Sequence, residues 1–339
     1  MATARLVGLG LVAALASCAH APASAPHAAV VHPVFPPSPA RAEVRWAASY
    51  PDPDALPEPP SRWRHFWEVV LGLDSAAPVG AALDRPFGLA VADGALYVAD
   101  ADARRVVRLD LATGRAAPIT CAERAWDMPM AVAVVHGGAI YVADAGAAAV
   151  VRVAGGRCTV LGRGALERPT GVAVIGARIY VVDPPRHVVV VLDERGAEQQ
   201  RFGGRGTGDG SLNFPTAIAA LEDRALLVVD ALNFRVSRYS AAGVFEQSFG
   251  EPGDGGGAFG RPKAVAVDGK GRIWVSDAQH DVALAFGSDG VFRFAVGGTG
   301  RGPGELALPA GLAASGDRLF VADTFNHRIQ IYDLLGGAP

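Results

Sequence analysis

Six times the chain writes a proline, any residue, a small residue, an aliphatic residue, an alanine and one more aliphatic residue or alanine. The hexamers begin at Pro86 (PFGLAV), Pro129 (PMAVAV), Pro169 (PTGVAV), Pro215 (PTAIAA), Pro262 (PKAVAV) and Pro309 (PAGLAA). Fourteen or fifteen residues after each proline an Asp closes an apolar run, at Asp100, Asp144, Asp183, Asp230, Asp277 and Asp323. A third stretch follows each Asp, as in Val236 to Tyr239 and Ile329 to Tyr332, and a weaker fourth precedes the next proline, as in Phe245 to Phe249. Apolar runs this short, bounded by Gly and Pro, are strands.

Four strands per unit at a period of about 45 residues describe an all-β, six-bladed β-propeller of four-stranded blades rather than a solenoid of helix pairs. The units run near 81–124, 125–164, 165–210, 211–257, 258–304 and 305–339. The sixth has no room for a fourth strand, so Glu43 to Tyr50 (EVRWAASY) is expected to supply it and close the ring, which removes exposed sheet edges. Three residues before each repeat proline stands a large apolar residue, Leu83, Trp126, Leu166, Leu212, Phe259 or Leu306, expected to pin each incoming loop. Within 43–80, Ser61 caps a short aromatic helix over 61–73, before blade one, whose Trp63, Phe66, Trp67, Val70 and Leu71 share one face. That face is expected to cap the main domain, with docking elsewhere as the alternative.

The N-terminus carries a different message. Arg5 precedes an apolar run too short to cross a bilayer, which ends in small residues as a secretory signal does. Residues 1–18 close on Leu15-Ala16-Ser17-Cys18, which resembles the bacterial lipoprotein box, and the resemblance implies lipidation at Cys18. An exported chain tethered to a membrane, the outer membrane in a Gram-negative cell, is the expectation. Residues 19–42, rich in Ala and Pro, read as an extended tether, with His20, His27 and His32 as solvated tether residues. The balance of 31 Lys and Arg against 34 Asp and Glu, with no basic block, leaves no footprint for nucleic acid. Cys121 and Cys158 sit at different repeat offsets and are expected as two buried thiols, although an exported compartment permits a bridge.

The run Asp323-Thr324-Phe325-Asn326-His327-Arg328-Ile329 resembles the NHL repeat, as does Asp230-Ala231-Leu232-Asn233-Phe234-Arg235-Val236, while the first unit keeps Asp100 and Arg105. Units two, three and five drift further. Residues 34–74 also resemble the N-terminal part of bacterial six-bladed propeller lipoproteins.

Asp and Arg five residues apart flank a tight turn that a charge-assisted hydrogen bond can tie, so these repeat turns (Asp100, Asp144, Asp183, Asp230, Asp277, Asp323, with Arg105, Arg235 and Arg328) read as structural rather than metal-binding. His187, His280 and His327, near the same offset, belong to separate blades and read as exposed turn residues. Some propellers similar to the NHL type are enzymes: peptide-amidating lyases place metal-binding His beside the repeat proline, and gluconolactonase-like propellers hold calcium on axial acids. The positions after each proline here are Phe87-Gly88, Met130-Ala131, Thr170-Gly171, Thr216-Ala217, Lys263-Ala264 and Ala310-Gly311, with Lys263 the one ionisable group. No cofactor, metal or catalytic residue is therefore expected.

The Gly-rich connectors 203–210, 253–257 and 297–300 lead into strands, unlike phosphate loops, and read as mobile loops on one face. Their Asp209, Asp254 and Glu305, with Lys263, are the candidate contacts to a partner. The expectation is an envelope scaffold that binds a protein; the alternative is a metal-dependent lyase or hydrolase.

Overall fold

The computed structural model describes residues 32–37, 40–51, 82–135 and 137–335. Among the described residues six antiparallel sheets stand in a ring, five of four strands and one, the last blade, of five. Blade one is built from Pro86–Ala92, Ala95–Asp100, Arg105–Asp110 and Ala116–Ile119. Blade four shows the same plan in Pro215–Ala220, Leu226–Asp230, Arg235–Tyr239 and Phe245–Phe249, counted from the axis outward.

Burial explains the strand order. The second strand of each blade is almost wholly buried, as in Leu226–Asp230, because blades pack on both of its faces, and its sequence is accordingly a continuous apolar run. Outer strands such as Glu198–Gly203 are mostly solvated and polar. Six apolar clusters result, each drawn mainly from two neighbouring blades. One joins Tyr141 and Val150 of blade two to Ile179 and Val190 of blade three. Another joins Phe320 and Ile329 of blade six to Leu96 and Leu109 of blade one. The anchors Leu83, Trp126, Leu166, Leu212, Phe259 and Leu306 are all buried in these seams.

Near the axis, the innermost strands come too close for a side chain at some positions. A Cβ on Gly88 would lie 2.5 Å from the Met130 carbonyl oxygen, and one on Gly311 would collide with the Phe87 carbonyl oxygen.

The last blade is completed from the other end of the chain. Val44–Tyr50 pairs antiparallel with Arg328–Leu334. Val44 and Trp46 are buried there, and the Trp46 indole Nε1 donates to Gln330 Oε1 at 2.6 Å. Composition places Val34 and Phe35 in the tether, yet the pair forms a fifth strand on this blade. Phe35 packs edge-on against Tyr332, 6.1 Å between ring centroids, which is why the ordered fold begins earlier than composition suggests. The signal segment with Cys18, the remaining tether up to residue 31 and the helix over 61–73 lie outside the described residues.

One expectation is overturned. Cys121 and Cys158 form a disulfide, with Cα atoms 5.7 Å apart. Unequal repeat offsets do not keep them apart, because Cys121 follows the outer strand of blade one where the chain crosses to blade two, and Cys158 lies in the outer strand of blade two. The Trp126 indole, donating to the Ile119 carbonyl at 2.8 Å, fixes that crossing, and both cysteines belong to the same apolar seam.

Candidate functional site

Each innermost strand starts, and each second strand ends, at the same end of the ring, as the pairing of Pro86 with Asp100 and of Pro215 with Asp230 requires. The connectors between blades and the turns after the repeat Asp therefore share one face. On it, all six repeat Asp residues are fully buried. Each carboxylate accepts backbone N–H groups from the loop that leads to the proline: Arg85 N–H to Asp100 at 2.7 Å, Met128 N–H to Asp144 at 2.8 Å and Ala307 N–H to Asp323 at 2.7 Å. The role these residues share is to hold the rim of the channel.

Their charge is met in different ways. Arg105, Arg235 and Arg328, five residues on, reach Asp100, Asp230 and Asp323 at 2.7–2.9 Å. In blade two the guanidinium comes instead from Arg124 on the connector, 2.9 Å from Asp144, and in blade three from Arg186 at 3.7 Å from Asp183. In blade five no guanidinium reaches the carboxylate, and the His280 ring lies beside it, Nδ1 3.4 Å from Asp277. Burial raises the Asp323 carboxyl above its usual range, against the pull of the Asn326 amide, the Ala307 N–H and the Arg328 guanidinium.

The residue four places after each Asp has left-handed backbone in every blade: Arg104, Ala148, His187, Phe234, Asp281 and His327. His187 and His327 occupy this position and serve neighbouring loops. His187 Nδ1 accepts the Phe214 N–H at 3.0 Å, and His327 Nδ1 lies against the Asp84 carbonyl. Sequence reasoning reads them as exposed turn residues; both lie in those turns, His327 exposed and His187 half-buried, and both also tie neighbouring blades. Among the described residues no three His, Cys, Asp or Glu gather as a metal site.

Arginines of the following turns hold the connectors before blades four and six. Arg235 donates to the carbonyls of Thr207, Gly208 and Ser211, and Arg328 to those of Gly302 and Glu305. Gly203 and Gly297 have positive φ, and a Cβ on either would meet the Leu212 or Leu306 anchor at 2.6 Å, so glycine is demanded by packing. Asp209, Asp254 and Glu305 are exposed on three successive connectors, and no contact brings them together. Asp254 meets His280 Nε2 at 3.0 Å and Glu305 accepts the Gly302 N–H at 2.8 Å.

Lys263 stands apart from these three, at the axis. The channel is lined by small and apolar side chains and holds about 60 Å³. Beside its mouth, over blades five, six and one, a depression of about 380 Å³ is lined by Lys263 together with Arg85, Arg261, Phe87, Leu308 and Phe325, and by Asp84, Asp102 and His327. Burial first, then the charges of Arg261 and Arg85, lower the Lys263 ammonium to about 8, with Asp277 pulling the other way.

Sequence reasoning missed the residues that surround this mouth. The position just before the repeat proline reads Arg85, Met128, Arg168, Phe214, Arg261 and Leu308, so arginine and bulky apolar residues alternate from blade to blade. Phe214 and Leu308 hold left-handed backbone, φ 56° and 48°, where a residue before proline is normally extended. With Leu232 and Phe325, two places after their Asp, they are 43–57% exposed on this face. The repeat alignment already contained the signal: the column beside the proline is bulky in every unit.

Comparison with known proteins agrees on the architecture. No curated protein matches the chain by sequence. Virginiamycin B lyase from Staphylococcus aureus is 13% identical, with a TM-score of 0.55 over 74% of this chain and 95% of that one. A gluconolactonase from Xanthomonas campestris is 19% identical, TM-score 0.58, over 75% and 88%. An auxiliary nutrient binding protein from Bacteroides thetaiotaomicron is 12% identical, TM-score 0.60, over 74% and 69%. At these identities the likeness is one of fold, shared by proteins of mixed function. Residues 306–332 match the NHL repeat, the stretch that holds the Leu306 anchor, Asp323, Asn326 and Arg328; the chain is a six-bladed β-propeller whose last blade carries an NHL repeat.

Proposed function

We propose that this is an exported envelope protein, lipid-anchored through Cys18, whose propeller is a non-catalytic platform that presents the connector face to a protein partner. One observation carries the reading. Phe214, Leu232, Leu308 and Phe325 expose large apolar side chains at matching repeat positions of blades four and six, all on that face. Apolar anchors set in a polar, charged surround are what protein interfaces use as hot spots. The loops that carry them are held by the buried Asp and Arg ties, so little conformational freedom is lost on binding.

Affinity capture from crosslinked native membranes tests this, with the full chain, a Cys18→Ala control and a Phe214→Ser/Phe325→Ser variant. One enriched protein, retained by the folded wild type and lost from the double variant, is expected. Equal recovery with wild type and variant removes the connector face as the interface. An empty capture together with a stoichiometric metal in the purified protein replaces the scaffold by the lyase or hydrolase reading.

A further inference from the structure

We infer that the depression over blades five, six and one is a binding site for a small organic anion, a carboxylate joined to an aromatic or branched apolar body. It lies beside the channel mouth, and the protein-partner reading does not depend on it.

The geometry supplies both halves of such a ligand's requirements. Lys263 and Arg261 line one side of the depression, and among the described residues neither side chain has a hydrogen-bond or ion-pair partner. Arg85 lines it as well, half-exposed, with Asp102 at 3.5 Å. Phe87, Leu308 and Phe325 provide the apolar wall. The acids are unevenly placed. The residue preceding the pre-proline position is Asp84, Asp127 and Glu167 in blades one to three but Asn213, Gly260 and Ala307 in blades four to six, so in blade five no acidic residue immediately precedes the arginine.

A half-buried ammonium with no direct ion-pair partner costs free energy that a bound anion recovers. A guanidinium beside it offers the planar fork that suits a carboxylate. A volume of about 380 Å³ lies within the range of small-molecule sites and suits a compact acid. The channel behind, at about 60 Å³, is too narrow to admit the ligand further, so it stays at the mouth.

Calorimetric titration of the full chain with 3-phenylpropanoate, and with the neutral 3-phenylpropanol as its isostere, tests the site. The acid is expected to bind and the alcohol not. Lys263→Met and Arg261→Ala are each expected to weaken the acid about tenfold or more, the scale of a lost charge-assisted contact. Lys263→Arg, which keeps the charge, retains binding. Arg168→Ala, on the same ring of pre-proline residues but outside the depression, leaves affinity unchanged and controls for general charge. Circular dichroism melts confirm that each variant is folded. Absence of binding at millimolar acid, equal binding of acid and alcohol, or an affinity that Lys263→Met and Arg261→Ala leave unchanged would each overturn the assignment. Failure of the membrane capture, by contrast, leaves these titrations as they stand.

Discussion

Blades five and six solve the same problem with different parts. In blade six the buried Asp323 has Arg328 at 2.7 Å, itself almost fully buried, and Asn326 Nδ2 at 2.9 Å, which also donates to the Gly300 carbonyl. In blade five the equivalent Asp277 has neither arginine nor asparagine. It is served by the N–H groups of Gly260, Arg261, Gln279 and His280, and by the half-buried His280 ring. Both arrangements hold the loop before the proline, so the fold needs a satisfied carboxylate there rather than one fixed partner. Blade six, whose asparagine and arginine come from its own turn as they do in blade four, is the stretch that matches the NHL repeat.

The comparison predicts unequal losses. Asp323→Ala strands a buried guanidinium and is expected to cost about 3–5 kcal/mol. Asp277→Ala strands backbone N–H groups and leaves no guanidinium unpaired, and is expected to cost about 1–3 kcal/mol. Urea unfolding of both variants checks this. Equal losses would mean that the Asp–Arg pair adds nothing beyond the backbone contacts.

The seam between blades one and two supplements such ties with a covalent one. Cys121 and Cys158, separated by 37 residues, close a loop whose chain-entropy value is about 3–4 kcal/mol. Cys121→Ser is therefore expected to lower stability by up to that amount, read by the same denaturation. A loss well under 1 kcal/mol would show that the Trp126 contact and the apolar seam hold the crossing unaided.

What the sequence makes legible follows from what repeats. The prolines, the Asp column and the anchors recur because every blade has the same seams to fill, and six copies of a weak signal make a strong one. The Cys121–Cys158 bridge is not legible that way, since it links the end of one unit to the edge of the next and occurs once. Val34 and Phe35 are hidden by their Pro-rich neighbours, whose composition outweighs two apolar residues. The channel mouth falls between these cases. Lys263 stands out in its column as the one charge, but the alternation of Arg85, Met128, Arg168, Phe214, Arg261 and Leu308 gains meaning only once six strands are arranged in a circle.

The smallest effect expected concerns the blade five side of that mouth. The Lys263 ammonium, lowered to about 8 from an ordinary 10.5, is charged at neutral pH in a site that disfavours the charge, with Arg261 and Arg85 adding repulsion and Asp277 offsetting part of it. Below about pH 8 the folded and unfolded chains both hold the proton, and the folded state bears the full cost of burying it. Between about 8 and 10.5 the unfolded chain keeps a proton that the folded chain has released, so the Lys263 contribution makes stability rise with pH in that window. Lys263→Met removes the cost and is expected to be more stable than wild type at pH 7 by about 1 kcal/mol, a value reduced by solvent screening at this half-exposed mouth. The advantage should shrink at pH 9.5, where wild type has shed most of the charge. Chemical denaturation of both proteins at the two pH values reads the difference directly, and subtraction cancels the tyrosines and Lys270. An advantage that does not change with pH would mean that methionine gains by packing alone and that Lys263 carries no displaced titration.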